Sequence, residues 1–154
     1  MEKPMYDTFV KSERKNRSFL IKLYKKGKLG SFPVAENRLR AGMLFANDFK
    51  NSVFSQKTTT NYDKLFVTDG CAKNGADDFR CDAADRYLRA LRAISPFGVY
   101  ALHFLRDELN VADFIIKYPV LNHGSKRTYR MVYKAINIML DKLAVFYDRE
   151  RAKR

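Results

Sequence analysis

In the last third of the chain the apolar positions are Tyr129, Val132, Tyr133, Ile136, Met139, Leu140, Leu143, Phe146 and Tyr147. Their gaps repeat one face of a helix at about 3.6 residues per turn, so the pattern predicts one long amphipathic helix. Gly124-Ser125 supplies its start: a break, then a hydroxyl able to accept a hydrogen bond from a free N–H of the first turn, with the helix beginning near Lys126. The same period recurs upstream at Leu39, Met43, Ala46, Phe49 and Val53, predicting a helix over about residues 34–54 that opens behind Ser31-Phe32-Pro33. Gly42 inside that stripe costs about 1 kcal/mol relative to alanine, which predicts close packing against a neighbour.

Between these helices the pattern lapses. Thr58-Thr59-Thr60, Asn61, Asp69-Gly70 and Asn74-Gly75 are turn chemistry, and they predict a long loop at about 55–76 that reads either as functional or as disordered. Asp77-Asp78 restarts a helix with acids at its positive end, and Phe79, Ala83, Tyr87, Leu88, Leu91 and Ile94 make its inner face. Arg80, Arg86, Arg89 and Arg92 stand outward among Asp82 and Asp85, which reads as structural ion pairing first and a binding face second. Ser95-Pro96 then opens a helix over about 97–109, with Leu102, Leu105 and Leu109 inward. A short element follows over 111–118, stopped by Pro119. Helix, short helix, turn and basic helix is the order of a helix-turn-helix, whose last helix is the one offered to DNA. The fold class expected is therefore all-α: a compact multi-helix domain with a helix-turn-helix-like C-terminal half and a long basic C-terminal helix.

With 154 residues, 46% of them hydrophobic, the chain has the size of one domain and enough apolar side chains for a core. The organisation expected is a basic, partly flexible N-terminal arm over 1–30, one helical domain over 31–150, and a basic tail over 151–154. The net charge of +13 sits at the ends: residues 1–30 and 126–154 each hold nine Lys or Arg against three acids, while the stretch between is nearly neutral. Such a distribution points to a partner rich in phosphates or carboxylates. Cys71 and Cys81 show no metal-ligand spacing and read as reduced thiols, consistent with a cytoplasmic protein. No apolar run approaches the roughly 20 residues that span a bilayer, so no membrane partner is expected. No Gly-rich phosphate loop, G-x-S-x-G or HExxH is present. The expectation is a chain with no catalytic residues, no metal and no cofactor.

The candidate binding residues are Lys126, Arg127, Arg130 and Lys134. They lie on the long helix away from its main stripe, with no carboxylate among its first turns. Cations at a helix N-terminus oppose the helix dipole, so a polyanion outside the helix is the simplest explanation for them. Lys22, Lys25, Lys26 and Lys28, clustered before Gly30, extend the candidate set.

Two resemblances refine these expectations. The run from Ser95 through Asn110 into the Ser125 helix resembles the helix-turn-helix of sigma-factor region four, though with a longer turn before Gly124. Over about residues 23–148 the chain resembles the domain of alphaproteobacterial gene transfer agent regulators, found as the C-terminal part of the GafA type and as the separate GafZ type. The matching pieces are Asn37-Arg38-Leu39-Arg40-Ala41-Gly42 with Asp48-Phe49, then Thr59-Thr60-Asn61-Tyr62-Asp63 and Asp82-Ala83-Ala84 leading to Ala90-Leu91. They continue with Asp107-Glu108-Leu109 and with Ala135-Ile136 through Leu143-Ala144 to Tyr147. The resemblance implies RNA polymerase as a partner and control of a phage-like gene cluster, by transcription antitermination near the RNA exit channel or by activation. Nascent RNA or promoter DNA is the nucleic acid then expected, with room for a companion promoter-binding activator.

Overall fold

A computed structural model describes residues 18–55, 75–121 and 124–154. It contains α1 (Phe19–Lys25), α2 (Val34–Asn51), α3 (Gly75–Ala93), α4 (Gly98–Ala101), α5 (Val111–Lys117) and α6 (Ser125–Ala152). Short 3₁₀ turns follow α2 and α5, and among the described residues there is no strand. The fold is all-α and ends in a helix of 28 residues, about 42 Å long at 1.5 Å per residue. The first seventeen residues and nearly all of the predicted 55–76 loop lie outside the described residues.

The stripe on α6 is the wall of the core. Val132, Ile136, Met139, Leu140 and Leu143 are at most 2% exposed, with Tyr147 also buried. The long helix α2 lies along that wall and α3 packs on both. Where α2 crosses α6 stands Gly42. A Cβ there would lie 2.5 Å from Leu20 Cδ2 of α1, 3.1 Å from Leu140 Cδ2 of α6 and 3.4 Å from Leu105 Cδ2 beyond α4. Three leucines from three elements thus converge on one hydrogen atom, which is the close packing that a glycine inside an amphipathic helix predicts. A second cluster, of aromatic rings, joins α1, α4 and α5: Phe19 stacks on Phe104 with centroids 4.9 Å apart, and Tyr100 meets Phe114 at 4.8 Å.

The helix expected over 97–109 is shorter and wider than its sequence suggests. After Ala101 it opens into a π-helical turn over Leu102–Arg106, with the Asp107 N–H donating to the Leu102 carbonyl. Glu108 at φ 53° ends it, so Leu109 is 39% exposed instead of inward. Asn110 starts the next helix: its side chain accepts from the Asp113 N–H at 2.9 Å, an N-cap that satisfies a first-turn donor of α5. The inner face of α3 differs from expectation in part. Ala83, Tyr87 and Ile94 are buried as expected, Phe79 and Leu88 are exposed instead, and Ala84 and Ala90 are buried as well. Alanines carry little hydropathic signal, yet their small size lets α3 sit close against α2. Residues 18–29, read as the end of an arm, belong to the core through Leu20, Ile21, Leu23 and Leu29. Cys81 is disulfide-bonded rather than reduced, and the chain's other cysteine, Cys71, lies outside the described residues. Pairing depends on how near the fold brings two thiols, which spacing in sequence does not reveal.

Ion pairs fasten α2 and α3 to α6. Asp48, 7% exposed, accepts two hydrogen bonds from Arg86 at 3.1 and 3.2 Å and one from the Tyr147 hydroxyl at 2.8 Å. One carboxylate therefore joins all three long helices, and its oxygens are satisfied as burial demands. Burial first, then the Asp48 charge, push the Tyr147 hydroxyl upward in pKa. Arg89 reaches from α3 to both oxygens of Glu150 and also bonds Asp85 at 2.9 Å. Hydrogen bonding from Arg89, reinforced by Lys153, holds the Glu150 carboxyl down at about 2.

Two expectations follow from this packing. Gly42→Val inserts three carbons where one already collides, and should cost about 1–3 kcal/mol. It should lower Tm by about 2–4 °C per kcal/mol in a thermal melt; an unchanged melt would mean that the leucines move aside freely. For Glu150 the folded pKa lies below the unfolded value of about 4.3. Its contribution is thus present above pH 4.3 and lost as pH falls toward about 2. In denaturant melts between those pH values, Glu150→Gln should lose less stability on acidification than the parent chain; parallel losses would remove the Arg89–Glu150 pair from the acid response.

Candidate nucleic-acid interface

From Ser125 to Leu140 the long helix carries four cations and no acid. Lys126, Arg130 and Lys134 follow one another at intervals of four, as do Tyr129, Tyr133 and Asn137. Residues four apart are neighbours along a helix surface, and the two rows, offset by three, lie side by side. One row is charged and the other carries rings and an amide.

The start of α6 differs from the expected cap. The helix begins at Ser125 with Gly124 at its N-cap and no side-chain capping bond. Gly124 holds φ +97°, and its carbonyl accepts from both the N–H (2.9 Å) and the hydroxyl (2.7 Å) of buried Thr128. Thr128, one turn in, thus makes a side-chain bond at this end of the helix.

Opposite the two rows lies the turn after α1. Asn137 Nδ2 donates to the Lys28 carbonyl at 3.1 Å, and Arg38 of α2 donates to the Leu29 carbonyl at 2.6 Å. Gly30, at φ +101°, passes so close to Arg38 that a Cβ would stand 3.3 Å from its guanidinium nitrogen. These constraints press the turn against the helix and bring the Lys28 ammonium over the Tyr133 ring, 5.5 Å from its centroid. Between turn and helix runs a groove of about 870 Å³ lined by Lys28, Arg38, Lys126, Tyr129, Arg130 and Lys134 along with Tyr133 and Asn137.

The groove is strongly positive. Its one carboxylate, Asp141, is bound at 2.7 and 2.9 Å by the fork of Arg38, which neutralises both. Lys28, Lys126, Arg130 and Lys134 remain around it as exposed cations. Burial, then the neighbouring Tyr129, raise the Tyr133 hydroxyl's pKa, so the ring stays neutral. Cations spaced along a cleft with aromatic walls suit a ligand with repeated phosphates and flat faces.

Of the eight predicted residues, the structure brings Lys126, Arg130, Lys134 and Lys28 together. Arg127 is exposed outside the groove, and Lys22, Lys25 and Lys26 are exposed on α1 and its end without lining it. Tyr129 and Tyr133 belong to the amphipathic stripe of α6, and both are partly buried against the core. Their second role was visible in the sequence as the row beside the cations. Arg38 and Asn137 gave no such signal, because their part is to tie α2 and the Lys28 turn to α6 through contacts 103 and 109 residues apart in sequence. A second cavity of about 480 Å³ near Arg40 and Arg151 contains Asp48, Asp148 and Glu150, and each of these acids is paired within the protein. Among the described residues no three potential metal ligands cluster, and no helix is long and apolar enough to cross a membrane. Neither a family model, nor a curated protein, nor a solved structure matches this chain.

Replacing Lys126, Arg130 and Lys134 together by glutamine should flatten the salt dependence of oligonucleotide binding. Each lost phosphate contact lowers the slope of log K against log salt by about 0.7 for a single strand. The three together should lower it by about 2, with Tm little changed because all three side chains are exposed. An unaltered slope in fluorescence anisotropy titrations would take this helix face out of the interface.

Proposed function

We propose that this chain is a bacterial transcription regulator, similar in role to the gene transfer agent regulators it resembles, that joins RNA polymerase and acts by antitermination. The observation that carries the reading is the basic groove between α6 and the Lys28 turn, whose acid is cancelled internally and whose free charges face outward. Held beside the RNA exit, such a groove takes the nascent transcript by its phosphates and occupies the space in which a terminator hairpin closes. No base needs to be read, and no reaction needs to be catalysed. The site of action is then the bacterial cytoplasm. RNA polymerase as the partner comes from the resemblance, as does the phage-like gene transfer agent cluster as the target.

A second reading draws on the order of elements, since short α5, a turn and basic α6 follow one another as in a helix-turn-helix activator. There α6 lies in a promoter's major groove and the outcome depends on promoter sequence.

In vitro transcription with purified bacterial RNA polymerase, on a template with a strong intrinsic terminator behind a gene transfer agent promoter, separates the two. The expected result is more read-through at unchanged initiation, lost when Lys126, Arg130 and Lys134 are reversed to glutamate. More initiation at unchanged termination would replace antitermination by promoter activation, and no effect on either would leave an adaptor that touches no nucleic acid.

A further inference from the structure

We infer that the groove is built for single-stranded nucleic acid, with a base stacked on Tyr129 and its phosphates on Lys126, Arg130 and Lys28. This deepens the proposed function and rests on its premise that the groove meets nucleic acid. The two tyrosines are not equivalent. Tyr133 already carries a cation over its ring, that of Lys28. Tyr129, one turn nearer the helix start, lies 6.2 Å from the Tyr133 centroid at an interplanar angle of 47°, and among the described residues no cation or other ring covers it. It is half-buried, so one edge is anchored in the core and the rest faces the groove. A ring fixed on one side and open on the other is a stacking platform that loses little entropy on binding.

Charge and ring alternate along this wall: Lys126 precedes Tyr129 by three positions, and Arg130 precedes Tyr133 by three. A single strand presents the same alternation, phosphate on one side and an unstacked base on the other. In a duplex the base faces are covered by their neighbours, so a ring inside a cleft has nothing to stack on and only the phosphates remain. Tyrosine inside the groove, rather than beside it, is what distinguishes this surface from a plain basic face.

The test uses the whole chain and three fluorescein-labelled probes: a 12-nucleotide oligouridylate, the matching oligothymidylate, and a hairpin duplex of equal length. Single strands should bind more tightly than the duplex, and a preference for the uridylate would point to RNA as the source of the strand. Tyr129→Ala should weaken single-strand binding about tenfold, within the range for loss of one stacked base, and leave the duplex unchanged. Tyr129→Phe keeps the ring and should keep the affinity. Because the chain has nine tyrosines and no tryptophan, tyrosine emission gives a second readout: the single strand should quench it more in the parent chain than in Tyr129→Phe, whatever the alanine variant does to folding. Equal or tighter duplex binding, equal losses on all probes with Tyr129→Ala, or the same quenching in both chains would overturn the inference. Should Tyr129→Ala bind as the parent while the charge-reversed chain loses read-through, stacking fails and the antitermination reading stands.

Discussion

The approach of α2 to α6 at Gly42 is the constraint on which the architecture depends. With no side chain there, Leu140 of α6, Leu20 of α1 and Leu105 beyond α4 fill the same volume from three directions. The crossing sets how near α2 lies to the long helix, and with it the reach of every side chain that bridges the two. Arg38 lies one turn before Gly42, and its fork meets Asp141 just past Leu140; Asp48, nearly two turns after it, meets Tyr147. A wider spacing would lengthen both contacts at once.

Those bridges divide the surface of α6 into two electrostatic regions. Toward its C-terminus the acids Asp141, Asp148 and Glu150 are each bound by an arginine from α2 or α3. Toward its N-terminus there are no acids, and the cations face a groove. Internal pairing thus neutralises the negative charge of the helix and leaves the positive charge exposed. The positive end of the helix dipole points the same way, which costs stability in the isolated chain and favours phosphate in a complex. A face that opposes its own dipole is a local conflict of the kind found where function outweighs stability.

The antitermination reading places that conflict in use. Phosphate binding without base readout requires charge, concavity and little else, and a groove pinned by a handful of backbone contacts provides both. The turn at residues 26–30 matters here more than its length suggests. It belongs to the core through Leu29, it is tied to α2 and α6 by Arg38 and Asn137, and its Lys28 joins the exposed cations of α6 around the groove, whereas Arg38 is neutralised by Asp141.

The amphipathic stripes of α2 and α6, the glycine between them and the short helix before Pro119 were legible in the sequence, because each rests on local periodicity or on a residue with a strong backbone preference. The acid-free cationic start of α6 was legible for the same reason, as a departure from a local rule. The inner face of α3 was legible only in part: Ala83, Tyr87 and Ile94 follow the helical period, but Ala84 and Ala90 are buried for their small size, which hydropathy does not register. The groove was not legible, because its walls are assembled from Lys28, Arg38 and α6 through contacts spanning more than a hundred residues. The sequence by itself determined an all-helical chain whose last helix opens on cations with no acid among them. Only the tertiary structure decided which four of the eight candidate cations share one cleft, and that two tyrosines stand among them, because charge is a property of single residues whereas concavity comes from how distant segments pack.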